Sequence, residues 1–263
     1  MIKKAYVDTP SGQIHYRYGG PVDATPIIFL HQNVSSSKMY ERTLAALEDR
    51  FRVYAFDLPG FGESYDPPPF TSISELTLRV MEAVDELGLA EFHAFGNHTG
   101  AGMVAELAML YPERVKSVMM VGPLRLTDEE KQWYRENFSG SAAPDVAGTY
   151  LAETWEYLTG LGATRDMDMC NDEMWLALRA WRARGMVYRC VWDYPFDEFI
   201  AHLQCPVLLL AAPDDVLYLG YQRTKEALPE ALAIELTGAN FEPNLDPQGT
   251  SAAVRRFMDG IGA

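Results

Sequence analysis

The residue with the clearest chemical potential is a histidine in the stretch Phe95–Gly102, which reads FGNHTGAG. His98 stands at the centre of a Gly-x-His-x-Gly pattern, between an apolar run and a helical pattern. This arrangement is typical of a sharp strand-to-helix turn that holds the central side chain at a sheet edge in a strained conformation. An imidazole presented there can act as a general base or as a nucleophile, and a merely packed core histidine is less natural at such a turn.

A carboxylate is expected at the same sheet edge, in the segment Ala211–Val216, which reads AAPDDV. The segment follows a predicted strand, so its side chains lie at the carboxyl end of that strand. Asp215 is the candidate, and Asp214 is the close alternative. For either residue, the structural alternative is an N-cap role.

A third loop, Leu30–Ser37, follows another predicted strand and reads LHQNVSSS. A backbone N–H in this loop could form an oxyanion hole together with the N–H of Thr99, and Asn33 is the better donor beside its neighbour Gln32. The alternative is an ordinary loop capped by one of its serines. In the following loop, DLPGFGES, Asp57 is expected to anchor a tight turn.

The elements that must position these residues follow from an alternation of short apolar runs with amphipathic stretches. This alternation predicts an α/β fold with a doubly wound, mostly parallel eight-stranded sheet that begins with an antiparallel hairpin near Pro10-Ser11-Gly12. The other predicted strands lie within Thr25–Gln32, Phe51–Leu58, Glu91–Gly96, Val115–Gly122, Cys205–Ala212 and Leu232–Gly238. The predicted helices outside the longest insert are Ile73–Leu87, Thr99–Tyr111 and Gln248–Met258.

A long insert without a good strand pattern runs from about Leu124 to Ile200 and holds all five tryptophans. It predicts a helical cap over residues 123–202, inserted after the sixth strand into a core of residues 1–122 and 203–263. Most of the aromatic residues are expected to pack the insert's own small core. A few are expected to face the carboxyl edge of the sheet, where open α/β sheets bind ligands.

The composition excludes several classes of partner. The 22 basic and 37 acidic residues give a formal charge of −15, which disfavours nucleic acid and anionic membranes. No signal segment or run of about 18 apolar residues is present, and a cytoplasmic protein is expected. The three cysteines fit no metal or redox motif, and no dinucleotide fingerprint occurs, so neither metal nor cofactor is expected. The expected partner is a small-molecule substrate. The sequence leaves open whether the protein forms a homo-oligomer.

The motifs HQNVSSS, DLPGFGES, GNHTGAG, APDDV and GANFEPNLDP resemble the α/β-hydrolase fold superfamily in order and spacing, over nearly the whole chain. With its helical insert, the chain is similar to the small capped subgroup, which includes esterases, lactonases, C–C bond hydrolases, haloalkane dehalogenases and epoxide hydrolases. The resemblance implies that His31 holds the oxyanion loop in a structural role. It is specific for fold and much less specific for the reaction.

The chain departs from the family pattern at two of the three catalytic positions. The elbow carries His98 in place of Ser, Asp or Cys, and Asn240 stands where the family has its histidine. Since no histidine follows His202, the usual acyl-serine mechanism cannot operate. In the family geometry the loop imidazole lies between elbow and acid, so we expect His98 to reach Asp215. Asn240 is then expected to orient either partner or the substrate.

These inferences predict an enzyme that acts on a small, fairly apolar carbonyl compound of the ester, lactone or diketone type. His98 would serve as general base or nucleophile, Asp215 would orient it, and Asn33 and Thr99 would supply oxyanion donors. One alternative is a lyase, isomerase or cyclase in which His98 moves protons without consuming water. The other is a decayed enzyme that binds a ligand in the capped pocket, with His98 as a relic.

Overall fold

A computed structural model describes residues 1–138 and 143–263 of the chain. Residues 139–142, which fall inside the predicted cap, lie outside the described part. The strands form one eight-stranded sheet in the order β1-β2-β4-β3-β5-β6-β7-β8. Their bounds are β1 Lys3–Thr9, β2 Gly12–Gly19, β3 Pro26–Leu30, β4 Arg52–Phe56, β5 Phe92–Asn97, β6 Val115–Val121, β7 Val207–Ala211 and β8 Leu232–Glu235.

The sheet is parallel from β4 to β8, and antiparallel pairing is confined to β1 with β2 and β2 with β4. The predicted fold class is therefore confirmed. Every residue of β5 and β7 is buried, as the continuous apolar runs predicted for strands covered on both faces. In contrast, β1 lies at the sheet edge and alternates between exposed and half-buried residues.

The helices before β7 are α1 Glu41–Leu47, α2 Ile73–Glu86, α3 Thr99–Leu110, α4 Asp128–Asn137, α5 Thr149–Gly160, α6 Met167–Arg179, α7 Trp181–Cys190 and α8 Phe196–Ala201. Those after β7 are α9 Tyr218–Ala227, α10 Glu242–Leu245 and α11 Pro247–Ile261. The sequence prediction made the last helix too short at both of its ends. Asp246 caps its start by accepting a hydrogen bond from Gly249 N–H, and Gly262 ends it in a left-handed conformation. Within the described ranges, no helix is long and apolar enough to span a bilayer.

The insert between β6 and β7 consists of α4 to α8, with short 3₁₀ turns between some of them. Apolar residues of α6, α7 and α8 share one continuous buried cluster with one face of the sheet. Within this layer α8 packs on α3, and Tyr194 just before α8 donates a hydrogen bond to Glu106 of α3. The insert therefore has extensive contact with the core, and its division at residues 123 and 202 stays a prediction.

The tryptophans of the insert are distributed differently from the expectation. Trp133, Trp155 and Trp175 are exposed, so they do not pack a core of the insert. Trp192 is buried, and it lines the pocket at the carboxyl edge of the sheet. The composition identifies an aromatic-rich segment, but the direction in which each ring points depends on how the short helices are oriented.

Candidate active site

The turn between β5 and α3 holds His98 in the strained conformation that its flanking glycines predict. His98 has a φ of 47°, which is uncommon for a residue with a side chain. A Cβ on Gly96 would overlap the carbonyl of Gly100, and a Cβ on Gly100 would overlap the carbonyl of Leu30. The glycines thus permit strand and helix to approach closely, and the side chain of His98 is presented at the sheet edge.

The ring of His98 extends from this turn to the turn after β7, where its Nε2 lies 2.8 Å from Oδ2 of Asp215. The Asp215 side chain is fully buried, whereas that of His98 is 12% exposed. Space for the ring comes from Gly122 at the end of β6. A Cβ there would lie 2.6 Å from His98 Nε2 and 3.0 Å from Asp215 Oδ2. The structure therefore brings together the imidazole and the carboxylate that the sequence singled out.

Asp215 is held as a carboxylate by several donors. Its Oδ1 accepts a hydrogen bond from Leu217 N–H at 2.6 Å, while Oδ2 faces the His98 ring. Burial opposes ionisation, but the His98 charge and the hydrogen bonds around the carboxyl together lower the pKa of Asp215. An ionised Asp215 favours the tautomer with the proton on Nε2, which leaves Nδ1 of His98 as the ring's free basic nitrogen.

Asp214 points elsewhere, because it forms an exposed ion pair with Arg165.

A residue that the sequence analysis missed stands behind Asp215. Glu242, the first residue of α10, is fully buried, and its Oε1 accepts a hydrogen bond from Ala212 N–H at 3.0 Å. Burial, followed by the negative charge of Asp215, raises the pKa of Glu242 well above its usual value. A ring nitrogen of His98 and one carboxyl oxygen each of Asp215 and Glu242 lie within 4.8 Å of one another. This grouping was not expected from the sequence. The only signal was the position of Glu242 within a loop already singled out for Asn240.

Asn240 does not orient His98 or Asp215 by a direct hydrogen bond, in contrast to the expectation. Its Oδ1 accepts a hydrogen bond from Val216 N–H at 3.2 Å, and its Nδ2 donates to Leu161 O at 2.9 Å. The amide therefore ties the last loop to the turn after β7 and to the insert, because both of its polar atoms have backbone partners. It still lines the pocket beside His98.

The predicted oxyanion residues surround the same pocket, since Gln32, Asn33 and Thr99 line it together with His98. As the first residue of α3, Thr99 has a backbone N–H without an acceptor inside the helix. The Asn33 side chain donates a weak hydrogen bond to Arg184 O at 3.4 Å, and Tyr188 Oη lies 3.5 Å from Asn33 O.

His31 is fully buried below this loop and is absent from the pocket lining. Its Nδ1 lies 2.8 Å from Gln32 O, and its Nε2 accepts a hydrogen bond from Leu58 N–H at 3.0 Å. This pattern places the proton on Nδ1, and burial lowers the pKa of His31, which is consistent with a neutral ring. The geometry supports a structural role for His31 and none in direct substrate contact.

Two other loop residues serve the scaffold. Asp57 accepts hydrogen bonds from Ser37 N–H and Glu63 N–H and pairs with His15 Nδ1 at 2.8 Å. It therefore holds its turn as expected. In the oxyanion loop, Ser36 accepts a hydrogen bond from Lys38 N–H and caps the short 3₁₀ turn that follows.

The pocket beside His98 is narrow, with a cavity volume of about 40 Å³, and its lining is mainly aromatic and aliphatic. Tyr134 and Tyr188 each stack on the Trp192 ring, with centroid distances of 4.5 and 5.6 Å. The hydroxyls of Tyr157 and Tyr188 lie 2.6 Å apart and hydrogen-bond one another. Such a lining suits a small substrate with apolar or planar parts. The remaining described lining residues are Leu124, Phe138, Leu161, Val191, Val216 and Leu217.

A family model described as alpha/beta hydrolase fold matches residues 25–190 of the chain. Over 134 residues the chain is 31% identical to the dihydrolipoyllysine-residue acetyltransferase component of the acetoin cleaving system of Cupriavidus necator. That match covers 51% of this chain and 35% of the relative, so the chain spans about a third of its length. The chain is also 24% identical to carboxylesterase YbfK of Bacillus subtilis, over 97% of this chain and 87% of the relative.

Solved structures show the same fold over nearly the whole chain. An enol-lactonase from Burkholderia xenovorans matches with a TM-score of 0.83 and 17% identity, covering 97% of this chain and all of that one. The carboxylesterase CesB (YbfK) from Bacillus subtilis matches with a TM-score of 0.80 and 21% identity, covering 99% and 92% of the two chains. At these identities the likeness concerns the fold alone.

Proposed function

Because this chain belongs to the alpha/beta hydrolase fold family, we propose that it hydrolyses a small, apolar carbonyl compound of the ester, lactone or diketone type. The observation that carries the proposal is the hydrogen bond between His98 Nε2 and Asp215 Oδ2 at the pocket wall. The family resemblance of the chain to a carboxylesterase supports hydrolysis as the reaction class. The aromatic lining of the pocket supports an apolar substrate.

In the proposed mechanism His98 acts as the general base. Asp215 holds the ring through Nε2, so Nδ1 is left to take a proton from a water molecule that attacks the carbonyl carbon. Direct attack by Nδ1 is less favourable, because this nitrogen adjoins the ring carbon that bears the side chain and is sterically crowded. The backbone N–H groups of Thr99 and Asn33 would stabilise the developing oxyanion. The tetrahedral intermediate then collapses, and the imidazolium gives its proton to the leaving group. An ester loses its alcohol as the C–O bond breaks, a lactone opens to a hydroxy acid in the same way, and a β-diketone breaks a C–C bond to give an acid and a ketone.

The test is a screen of the whole chain against acyl esters, lactones and β-diketones, followed by kinetics on whichever substrate is turned over. His98→Ala should lower kcat by about a hundredfold to ten-thousandfold, the usual contribution of a general base. His202→Ala is the matched control, because His202 is exposed and its side chain hydrogen-bonds only to the carbonyl of Glu198 in α8 among described residues. Full activity in His98→Ala would refute the proposed mechanism.

Two further measurements define the reaction. Asp215→Asn should also lower kcat, since a neutral amide cannot stabilise the imidazolium that forms when His98 accepts a proton. Mass spectrometry of the products should show that one water molecule has been added to the substrate. Products with the same summed mass as the substrate would contradict hydrolysis and identify a lyase, isomerase or cyclase reaction.

A further inference from the structure

The carboxyl of Glu242 has a pattern of contacts that an ionised group would not explain. Its Oε1 accepts the hydrogen bond from Ala212 N–H, whereas Oε2 has no donor to accept from among the described residues. The same carboxyl lies beside Asp215, with an oxygen of each side chain within 4.8 Å of the other. Two facing carboxyl oxygens can form a hydrogen bond only when one of them carries a proton. A proton on Oε2 would give the unpartnered oxygen a donor role and an acceptor in Asp215.

The proton is expected on Glu242 because Asp215 is the better stabilised carboxylate. Asp215 faces the His98 ring and accepts a hydrogen bond from Leu217 N–H, and Glu242 accepts only the one from Ala212 N–H. Two adjacent buried carboxylates cannot both be ionised without a large cost, so the pair holds one negative charge. Both groups are almost completely buried, which leaves little solvent to screen a second charge.

We propose that Glu242 is a positioning residue, a neutral carboxylic acid that donates a hydrogen bond from Oε2 to Asp215 and completes a chain from Glu242 through Asp215 to His98. The role of this chain in catalysis rests on the proposed function, but the protonated state of Glu242 does not. The direction of the Glu242 pKa, raised by burial and by Asp215, agrees with this assignment.

Ionisation of Glu242 would limit the pH range over which His98 can act as a base. While Glu242 is neutral, Asp215 is the single negative charge beside the ring and shares its lone pairs with two donors besides His98. When Glu242 loses its proton it can no longer donate a hydrogen bond to Asp215, and the two adjacent carboxylates repel each other. Asp215 then no longer holds the ring in its fixed position, so activity should fall as the solution becomes more alkaline.

Other ionisable groups near Glu242 lie on α1 or just before it. Tyr40 lies just before α1, and the charge of Glu242 contributes to the raised pKa of Tyr40. Arg42 of α1 donates to Asn244 O in α10 and pairs with Asp166 at 2.7 Å. Arg42 is therefore already partnered by an acid and does not neutralise Glu242.

Glu242→Gln distinguishes this proposal from a role that needs an ionised carboxylate, such as metal binding or proton abstraction. The glutamine can accept from Ala212 N–H and donate to Asp215 as the protonated acid does. We expect Glu242→Gln to keep kcat near the wild-type value at neutral pH and to lack the alkaline fall in activity. Glu242→Leu should lose about tenfold to a hundredfold in kcat, since a hydrogen bond to a charged group is lost. Equal loss in both variants would overturn the proposal.

A second measurement needs no substrate. Because the pKa of Glu242 is raised on folding, its stabilising effect is present below the unfolded-state pKa and is lost as pH rises toward the folded-state value. The free energy of unfolding of the wild type should therefore fall more steeply with pH than that of Glu242→Gln. The control is Glu230→Gln, an exposed residue in the turn before β8, which should leave the wild-type slope unchanged. Identical slopes in wild type and Glu242→Gln would overturn the proposal, even if His98→Ala had confirmed the base.

Discussion

Glu173 should make the stability of this protein depend on pH, and the single substitution Glu173→Gln should remove its contribution to that dependence. Glu173 lies in α6 and is 1% exposed. Its Oε1 accepts a hydrogen bond from the Ser35 hydroxyl at 2.9 Å, which ties the insert to the oxyanion loop. Burial raises the pKa of Glu173 to about 8 from its ordinary 4.5, against the lowering effects of the Ser35 hydrogen bond and the Lys38 charge.

The magnitude follows from the two pKa values. A carboxyl whose pKa is raised on folding stabilises the folded state fully below its unfolded-state pKa, and the effect is lost as pH rises to the folded-state pKa. Each pH unit in this interval costs about 1.4 kcal/mol of unfolding free energy. From pH 4.5 to pH 8 the Glu173 contribution therefore falls by at most about 5 kcal/mol. A glutamine does not ionise, so the variant should gain this amount relative to the wild type over the same interval.

The assay is urea denaturation of wild type and Glu173→Gln at several pH values between about 5 and 8. The difference in unfolding free energy should grow steadily with pH in favour of the variant. Glu153→Gln, an exposed change in the neighbouring helix α5, controls for a general effect of removing one negative charge. Parallel stability curves for wild type and Glu173→Gln would show that the carboxyl is already ionised at low pH, and the reasoning from burial would then fail.

Two further substitutions test the geometry around the ring and the last loop. Gly122→Ala places a Cβ against the His98 ring at a φ of 55°, so kcat should fall by about tenfold or more through misplacement of the ring. Gly88→Ala is the matched control, since Gly88 has a φ of 68° but open space around it, and equal effects on kcat would rule out the clash as the cause. Asn240→Ala removes the partners of two backbone groups and should lower the unfolding free energy by about 1–3 kcal/mol for each, measured by urea denaturation. The exposed Asn137→Ala should cost much less, and a similar cost in both variants would contradict a bridging role for Asn240.

Much of the fold could be predicted because buried parallel strands require continuous apolar runs. The segments around Ile27–Phe29 and Leu208–Leu210 are short, apolar and fully buried, and the structure places each in a strand that pairs with a neighbour on both sides. The ends of elements were less predictable, since caps such as Asp246 and Gly262 decide them locally. The facing of the tryptophans could not be read from the sequence, because it depends on the packing of the short helices in the insert.

The candidate site, like the fold, could be predicted from the sequence only in part. The sequence by itself determined the elbow, because only small residues at positions 96 and 100 allow the strand and the helix to meet behind His98. It also determined that the family's relay histidine is missing after β8. Only the tertiary structure decided that Asn240 bonds the backbone and that Glu242 lies against Asp215. A hydrogen bond between residues from separate loops depends on distances of a few tenths of an ångström, and sequence patterns carry no record of such distances.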